Sequence, residues 1–213
     1  MTSPTPASVA SLIAFGSDAF TAGLLSSTCG NASVRLDAET LLISGTGTRV
    51  QDLAPDQLST VRIADGAVLA GPDASMETSM HRQIYALRPD VGAVLHCQSP
   101  AATLLACHKS PPTNLDLIPE VPAYVRRHAY VPWAMAGSEA LAASVAGALV
   151  DPDVTVVQMT NHGQLICGAT PAAVLRRGVF FEFACTLWAQ GGDALRTIPA
   201  GDAESLRAYG RGK

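Results

Sequence analysis

Histidine is scarce in this 213-residue chain, with five copies at positions 81, 96, 108, 128 and 162, and two of them sit where chemistry could be done. His96 and Gln98 are i and i+2 on an apolar run, Val91 to Gln98, that reads as a strand, so both side chains project from the same side of a sheet. Two neighbouring metal ligands need that spacing. His162 follows a β-branched run and precedes Gly163, where a backbone turn lets a ligand approach the imidazole. Glu77, at the start of a helical segment, could add a carboxylate. The same residues also have an ordinary reading. A histidine near a strand end commonly makes a structural hydrogen bond, and a first-turn glutamate commonly answers the helix dipole. Spacing alone leaves both readings open.

The elements that must position these residues are legible in the periodicity. Apolar residues from Ser8 to about Ser26 follow mixed helical spacing. Ala32 to Leu36 and Leu41 to Ser44 read as strands joined by the turn Asp37 to Thr40, followed by the loop Gly45, Thr46 and Gly47. Val61 to Ile63 and Ala67 to Leu69 flank Asp65-Gly66 as a tight hairpin. From Asp73 to Arg88 the period becomes helical, with Met76, Met80, Ile84 and Leu87 as the stripe, Ser75 as N-cap, Glu77 in the first turn and Pro89 as the stop.

After the His96 strand, Ser99-Pro100 predicts an N-cap and N1 pair opening a helix to about His108. A Pro-rich connection, Pro111 to Pro122, leads to an extended segment, Tyr124 to Val131. Ser138 caps a helix over 139–150, Val154 to Thr160 is a strand ending in Asn161-His162-Gly163, and a strand returns over 164–168. Thr170-Pro171 opens a helix to about Gln190, closed by Gly191-Gly192. On it, Phe180, Phe181, Phe183 and Trp188 are expected to pack on the sheet or a neighbouring subunit. The tail after Arg196 looks a poor contributor to a core.

Composition bounds the function. With 48% hydrophobic and 15% charged residues the chain reads as one globular domain over 1–213, its core about 8–190 and its tail about 196–213. The formal net charge is −4, with basic residues scattered or in short pairs, which argues against nucleic acid or anionic lipid as partner. The first twenty residues lack a basic n-region and no stretch has the length of a membrane span, so cytoplasmic residence is the expectation. Five cysteines without a CxxC pair suggest buried thiols.

Five ordered blocks, Gly30-Asn-Ala-Ser-Val-Arg35, Leu42-Ile-Ser-Gly-Thr-Gly47, Ser75-Met-Glu-Thr-Ser-Met-His81, Arg88-Pro-Asp-Val-Gly-Ala-Val-Leu-His96 and Asn161-His-Gly163, resemble those of the class II aldolase/adducin family. The resemblance covers about residues 8 to 190. It implies a three-layer α/β/α fold with a central, mainly antiparallel sheet, assembled as a homotetramer with active sites at subunit interfaces. In catalytic members, such as fuculose-phosphate aldolase, three histidines hold a divalent metal, usually zinc. A neighbouring glutamate is the acid/base, and the metal polarises the substrate carbonyl so that an enediolate forms.

Carried over by position, Glu77 takes the acid/base role and His96 and His162 two of the metal-ligand roles, while the third family histidine falls at Gln98. A neutral amide oxygen is a weaker donor than imidazole, which lowers the expected zinc affinity and admits Fe(II) or Mn as alternatives. Asn31, Thr46, Gly47 and Ser75 would form the phosphate pocket, although Met76 stands where phosphosugar aldolases have a second serine. Tyr124 is implied as a proton donor and Arg126 or Arg127 as an anion contact, often supplied by the neighbouring subunit. His81, one helical turn from Glu77, would lie behind the site or in the core, and Cys97 should face away into the core.

Three functions follow. The leading one is a metal-dependent carbon–carbon lyase, by aldol cleavage or decarboxylation, acting on a small hydroxy-carbonyl or sugar-derived substrate. The second is a non-haem Fe(II) oxygenase using the two histidines and the glutamate. The third is a non-catalytic binding protein like the adducin head.

Overall fold

In the computed structural model of the chain, which describes residues 3–211, eight strands form one sheet in the order β4-β3-β2-β1-β5-β8-β7-β6. The strands are β1 (Asn31–Arg35), β2 (Thr40–Ser44), β3 (Leu58–Arg62), β4 (Val68–Ala70), β5 (Ala93–Cys97), β6 (Arg127–Val131), β7 (Val154–Met159) and β8 (Gly163–Gly168). Every pairing is antiparallel except β6 with β7, which the helix α4 (Glu139–Ala148) connects as a crossover.

The other helices are α1 (Pro6–Thr21), α2 (Thr78–Leu87), α3 (Pro100–Ala106), α5 (Pro171–Gly191) and α6 (Ala200–Arg211). Residues of α1, α3 and α5 pack with one face of the sheet, and residues of α2 and α4 with the other. Alternation along β5 decides where its chemistry goes: Ala93, Leu95 and Cys97 enter the first layer, Val94 enters the second, and His96 shares the α2 side. Cys97 is thus core, as its position beside His96 implied.

Four expectations are corrected. The helix around Glu77 begins at Thr78, because Ser75 N–H bonds to the Ser44 carbonyl and Thr46 N–H to the Asp73 carbonyl, holding 73–75 against the end of β2. Met76 therefore lies outside the helix and is 69% exposed, Leu87 is also exposed, and the buried stripe is Met80, His81, Ile84 and Tyr85. Ser99 does not cap α3 with its own side chain. Glu182 of α5 does so, accepting from the N–H groups of Ala101 and Ala102 at 2.8 Å and from the Ser99 hydroxyl at 2.6 Å.

The segment expected to be extended from Tyr124 instead carries a π-helical turn over Val121–Val125 before β6 begins. The tail is a docked helix: Arg207 pairs with Asp116 at 2.6 Å, and Ala203 is fully buried. Gly210 lies so close that a Cβ there would stand 1.7 Å from the Ala123 carbonyl oxygen. Arg207 also donates to the Arg126 carbonyl, so α6 braces that turn.

Candidate metal centre

Three chain segments deliver three side chains to one point. His96 comes from near the end of the interior strand β5. His162 comes from the three-residue connection between β7 and β8, in which Asn161 is left-handed (φ 53°) and the pairing of Met159 with Gly163 closes the hairpin. Gly163 is required there, since a Cβ would sit 2.6 Å from the Cys97 carbonyl oxygen and 2.8 Å from Cγ of Gln98. Glu77 occupies the residue before α2, where Ser75 accepts from its N–H through the hydroxyl and from Thr78 through the carbonyl.

The carboxylate of Glu77 is buried, with Oε2 3.2 Å from His96 Nε2 and Oε1 3.5 Å from His162 Nε2. The two imidazoles meet edge to face with centroids 4.8 Å apart. Burial pushes the Glu77 carboxyl up, but His96, His162, the Asn31 hydrogen bond and His81 together hold it below the usual range. Burial, and then His96, hold the His162 imidazolium back, against the pull of Glu77.

The donor set fits a divalent metal. His96 Nδ1 lies 3.0 Å from the Gln164 carbonyl, which fixes the proton on Nδ1 and leaves the Nε2 lone pair facing Glu77. A lone pair and a carboxylate oxygen at that distance repel unless a cation or a proton lies between them. Glu77 Oε1 is also buried without a hydrogen-bond partner among the described residues. One donor atom from each of Glu77, His96 and His162 falls within 4.8 Å of the others. Gln98 stands beside them on the wall of the same pocket.

That pocket, about 180 Å³, brings Asn31, Thr46, Gly47 and Ser75 together, with Cys29 and Met76 also on its lining. Asn31 is already engaged on both amide atoms, its Nδ2 donating to Glu77 and its Oδ1 bonded to His81 Nε2. Thr46 and Gly47 are exposed at the mouth. Tyr124 and Arg126 lie elsewhere in the chain: Tyr124 stacks on Phe180 beneath Arg176, and Arg126, left-handed at φ 65°, pairs with Asp153. They line a separate cavity with Arg176 and Arg177.

Sequence reasoning missed Gln164, whose carbonyl fixes the His96 tautomer, and Ser33 and Tyr85, which lie behind the site. The spacing Glu77, His81, Tyr85, at i, i+4 and i+8 around the start of a helix, was the available signal.

Residues 10–189 match the family described as Class II Aldolase and Adducin N-terminal domain. The chain belongs to this family. As a class II aldolase family member it is 30% identical over 193 residues to the 3-oxo-tetronate 4-phosphate decarboxylase of Escherichia coli O6:H1, covering 89% of this chain and 90% of that protein. It is 40% identical over 79 residues to methylthioribulose-1-phosphate dehydratase of Pseudomonas syringae pv. tomato, covering 37% of this chain and 39% of that one. The crystal structure of YgbL from Escherichia coli superposes with a TM-score of 0.86 at 27% identity, covering 93% of this chain and 97% of that one.

These likenesses meet the expectations of the family, of its α/β fold with a mainly antiparallel sheet, and, at the level of the family, of an enzyme. Among the described residues, no helix is long and apolar enough to cross a membrane.

Proposed function

We propose that this chain is a divalent-metal-dependent lyase that cleaves the carbon–carbon bond beside a carbonyl in a small phosphorylated hydroxy-carbonyl substrate, by decarboxylation of a 3-oxo acid or by aldol cleavage. The observation that carries this reading is the buried Glu77 carboxylate, within 3.5 Å of two imidazole Nε2 atoms and open to a pocket of small polar groups. The full-length likeness to a decarboxylase of a 3-oxo-tetronate phosphate supports the substrate class.

His96 and His162 would hold the metal with Gln98 at its side, zinc first and Fe(II) or Mn as alternatives. When bound, the cation stabilises negative charge on the substrate carbonyl oxygen. Glu77 would exchange the proton at the carbon that receives the bonding electron pair, as a carboxylate held ionised beside two imidazoles and open to the pocket. The hydroxyls of Ser75 and Thr46, with the exposed backbone of Gly47, would take the phosphate at the pocket mouth, while the Thr46 N–H is held by the Asp73 carbonyl and Asn31 serves Glu77. Tyr124 and Arg126 would act in the site of a neighbouring copy in a homotetramer, since in their own chain they lie apart from Glu77.

The test is release of carbon dioxide or an aldehyde from 3-oxo-tetronate 4-phosphates and ketose phosphates by zinc- or manganese-loaded protein. Wild-type turnover lost in Glu77→Gln supports the reading, and turnover unchanged in that variant removes Glu77 from the mechanism. The carboxylate and two histidines of the cluster also form a donor set suited to ferrous iron and oxygen, so the second reading is an oxygenase. Equal turnover under strict anaerobiosis would dispose of it. Retention of Glu77, His96 and His162 in one cluster argues against a purely structural, adducin-like role.

A further inference from the structure

Behind the Glu77 carboxylate, an unbroken line of side chains runs into the protein interior. Asn31 Nδ2 donates to Glu77 Oε2 at 3.2 Å, and Asn31 Oδ1 lies 2.6 Å from His81 Nε2. His81 Nδ1 lies 2.7 Å from the Ser33 hydroxyl, which is 2.9 Å from the Tyr85 hydroxyl. His81 and Ser33 are fully buried, and Tyr85, Glu77 and Asn31 are within a few per cent of it.

The chemistry of the ends sets the direction of the whole line. A carboxylate only accepts, so the Asn31 amide must present its N–H to Glu77 and its carbonyl to His81. That carbonyl also only accepts, so His81 must carry its proton on Nε2. His81 Nδ1 is then an acceptor and takes the Ser33 hydroxyl proton, which leaves the Ser33 oxygen to accept from Tyr85. Each residue has one role consistent with its neighbours. The opposite tautomer would turn the Asn31 amide over and aim its carbonyl oxygen at the carboxylate.

The charge states agree with this arrangement. Burial, with Glu77 opposing and His96 assisting, brings the His81 pKa down to about 3, so the ring is neutral at working pH. Burial pushes the Tyr85 phenol well above its usual range, despite its bond to Ser33 and the nearby Arg35 guanidinium, so it keeps its proton. Arg35 further holds the helix end by donating to the backbone carbonyls of Tyr85, Arg88 and Val91.

We propose that His81, locked in its Nε2–H tautomer by Ser33 and Tyr85, is a positioning residue that sets the Asn31 amide so that its N–H is presented to Glu77 at the metal centre. This rests on the reading of Glu77 as the proton carrier beside a metal. A fully satisfied buried chain holds a group in one geometry without reorganisation, which a carboxylate flanking a cation needs.

The experiment has two readouts on the full chain, neither needing a substrate. Nitrogen-15 NMR of the histidine rings, in metal-free and zinc-loaded wild-type protein, should show His81 protonated at Nε2 and unprotonated at Nδ1 between pH 5 and 8. An Nδ1–H tautomer overturns the proposal. Zinc affinity, read by competition with a chromogenic chelator, is then compared in His81→Gln and His81→Asn. The glutamine amide can place an N–H where Nε2 stood, whereas the asparagine amide reaches only the Nδ1 position.

We expect His81→Asn to weaken zinc binding by about tenfold or more and His81→Gln to stay within about threefold of wild type. Equal weakening in both, or none in either, assigns His81 to packing alone and overturns the proposal. Should neither variant fold, the wild-type tautomer decides. A correct tautomer and affinity order in a protein that cleaves no carbon–carbon bond would refute the lyase reading and leave this inference standing.

Discussion

His96 of β5 faces Leu165 of β8, and the 3.0 Å contact from its imidazole Nδ1 to the backbone carbonyl of Gln164, one residue before Leu165, decides which nitrogen of His96 is free. Because the acceptor is a backbone carbonyl in a sheet, this tautomer is set by register and does not depend on the identity of residue 164.

Metal binding should therefore survive changes to the Gln164 side chain and fail with the ring. Protein purified without chelator should carry about one divalent ion per chain, and His96→Ala should weaken zinc at least about a hundredfold, losing an entire first ligand. Gln98→His should tighten zinc, since imidazole is a better donor than an amide oxygen. Elemental analysis and chelator competition measure both.

Glu77→Gln should keep the fold and lower turnover by roughly a hundred- to ten-thousandfold, the range for removal of a positioned acid/base. Steady-state kinetics beside a thermal melt separates this from unfolding.

Stability should fall on the acid side through His81. Its pKa is depressed in the folded state, from the ordinary 6.5 to about 3, by burial first. Above pH 6.5 both folded and unfolded chains leave it neutral, and its full contribution is present. As pH falls from 6.5 towards 3, the unfolded chain takes up a proton that the folded chain refuses, and stability drops by about 1.4 kcal/mol per pH unit. Urea midpoints at pH 7, 6 and 5 should decline, and His81→Gln should flatten that decline.

Glu182→Ala should cost about 1–2 kcal/mol in urea unfolding, because one carboxylate satisfies two α3 N–H groups and the Ser99 hydroxyl. Ser99→Ala should cost less, since it leaves both N–H bonds in place. If Ser99 were the true cap, the order would be reversed.

Arg207→Ala should destabilise the chain by roughly 1.5–3 kcal/mol through loss of a charged hydrogen bond to the largely buried Asp116. It should also loosen the π-helical turn, where Arg207 donates to the Arg126 carbonyl. Amide hydrogen exchange across 121–126 checks the second effect.

Much of the candidate site was legible because it is built from strand ends and turns, which leave local marks. The i, i+2 spacing of His96 and Gln98 follows from the strand period. Asn161-His162-Gly163 reads as a turn because a left-handed residue and a glycine are needed where the hairpin passes Cys97 and Gln98. The start of α2 was misplaced by a few residues because contacts from β2, far away in sequence, hold 73–75 out of the helix. The cap of α3 was misassigned for a similar reason: Ser99 has the right chemistry locally, but a carboxylate 83 residues along reaches the same N–H groups.

The sequence by itself determined the alternation of elements, the opposite faces taken by His96 and Cys97, and the residue types able to hold a metal. Hydrophobic period and turn chemistry are local properties written into consecutive residues. Only the tertiary structure decided that Glu77, His96 and His162 converge, that α6 docks on the turn at Val121–Val125, and that Tyr85 stands four side chains behind the carboxylate. Those relations are made by pairing between distant segments, and the direction of a hydrogen bond is fixed only when both of its partners are in place.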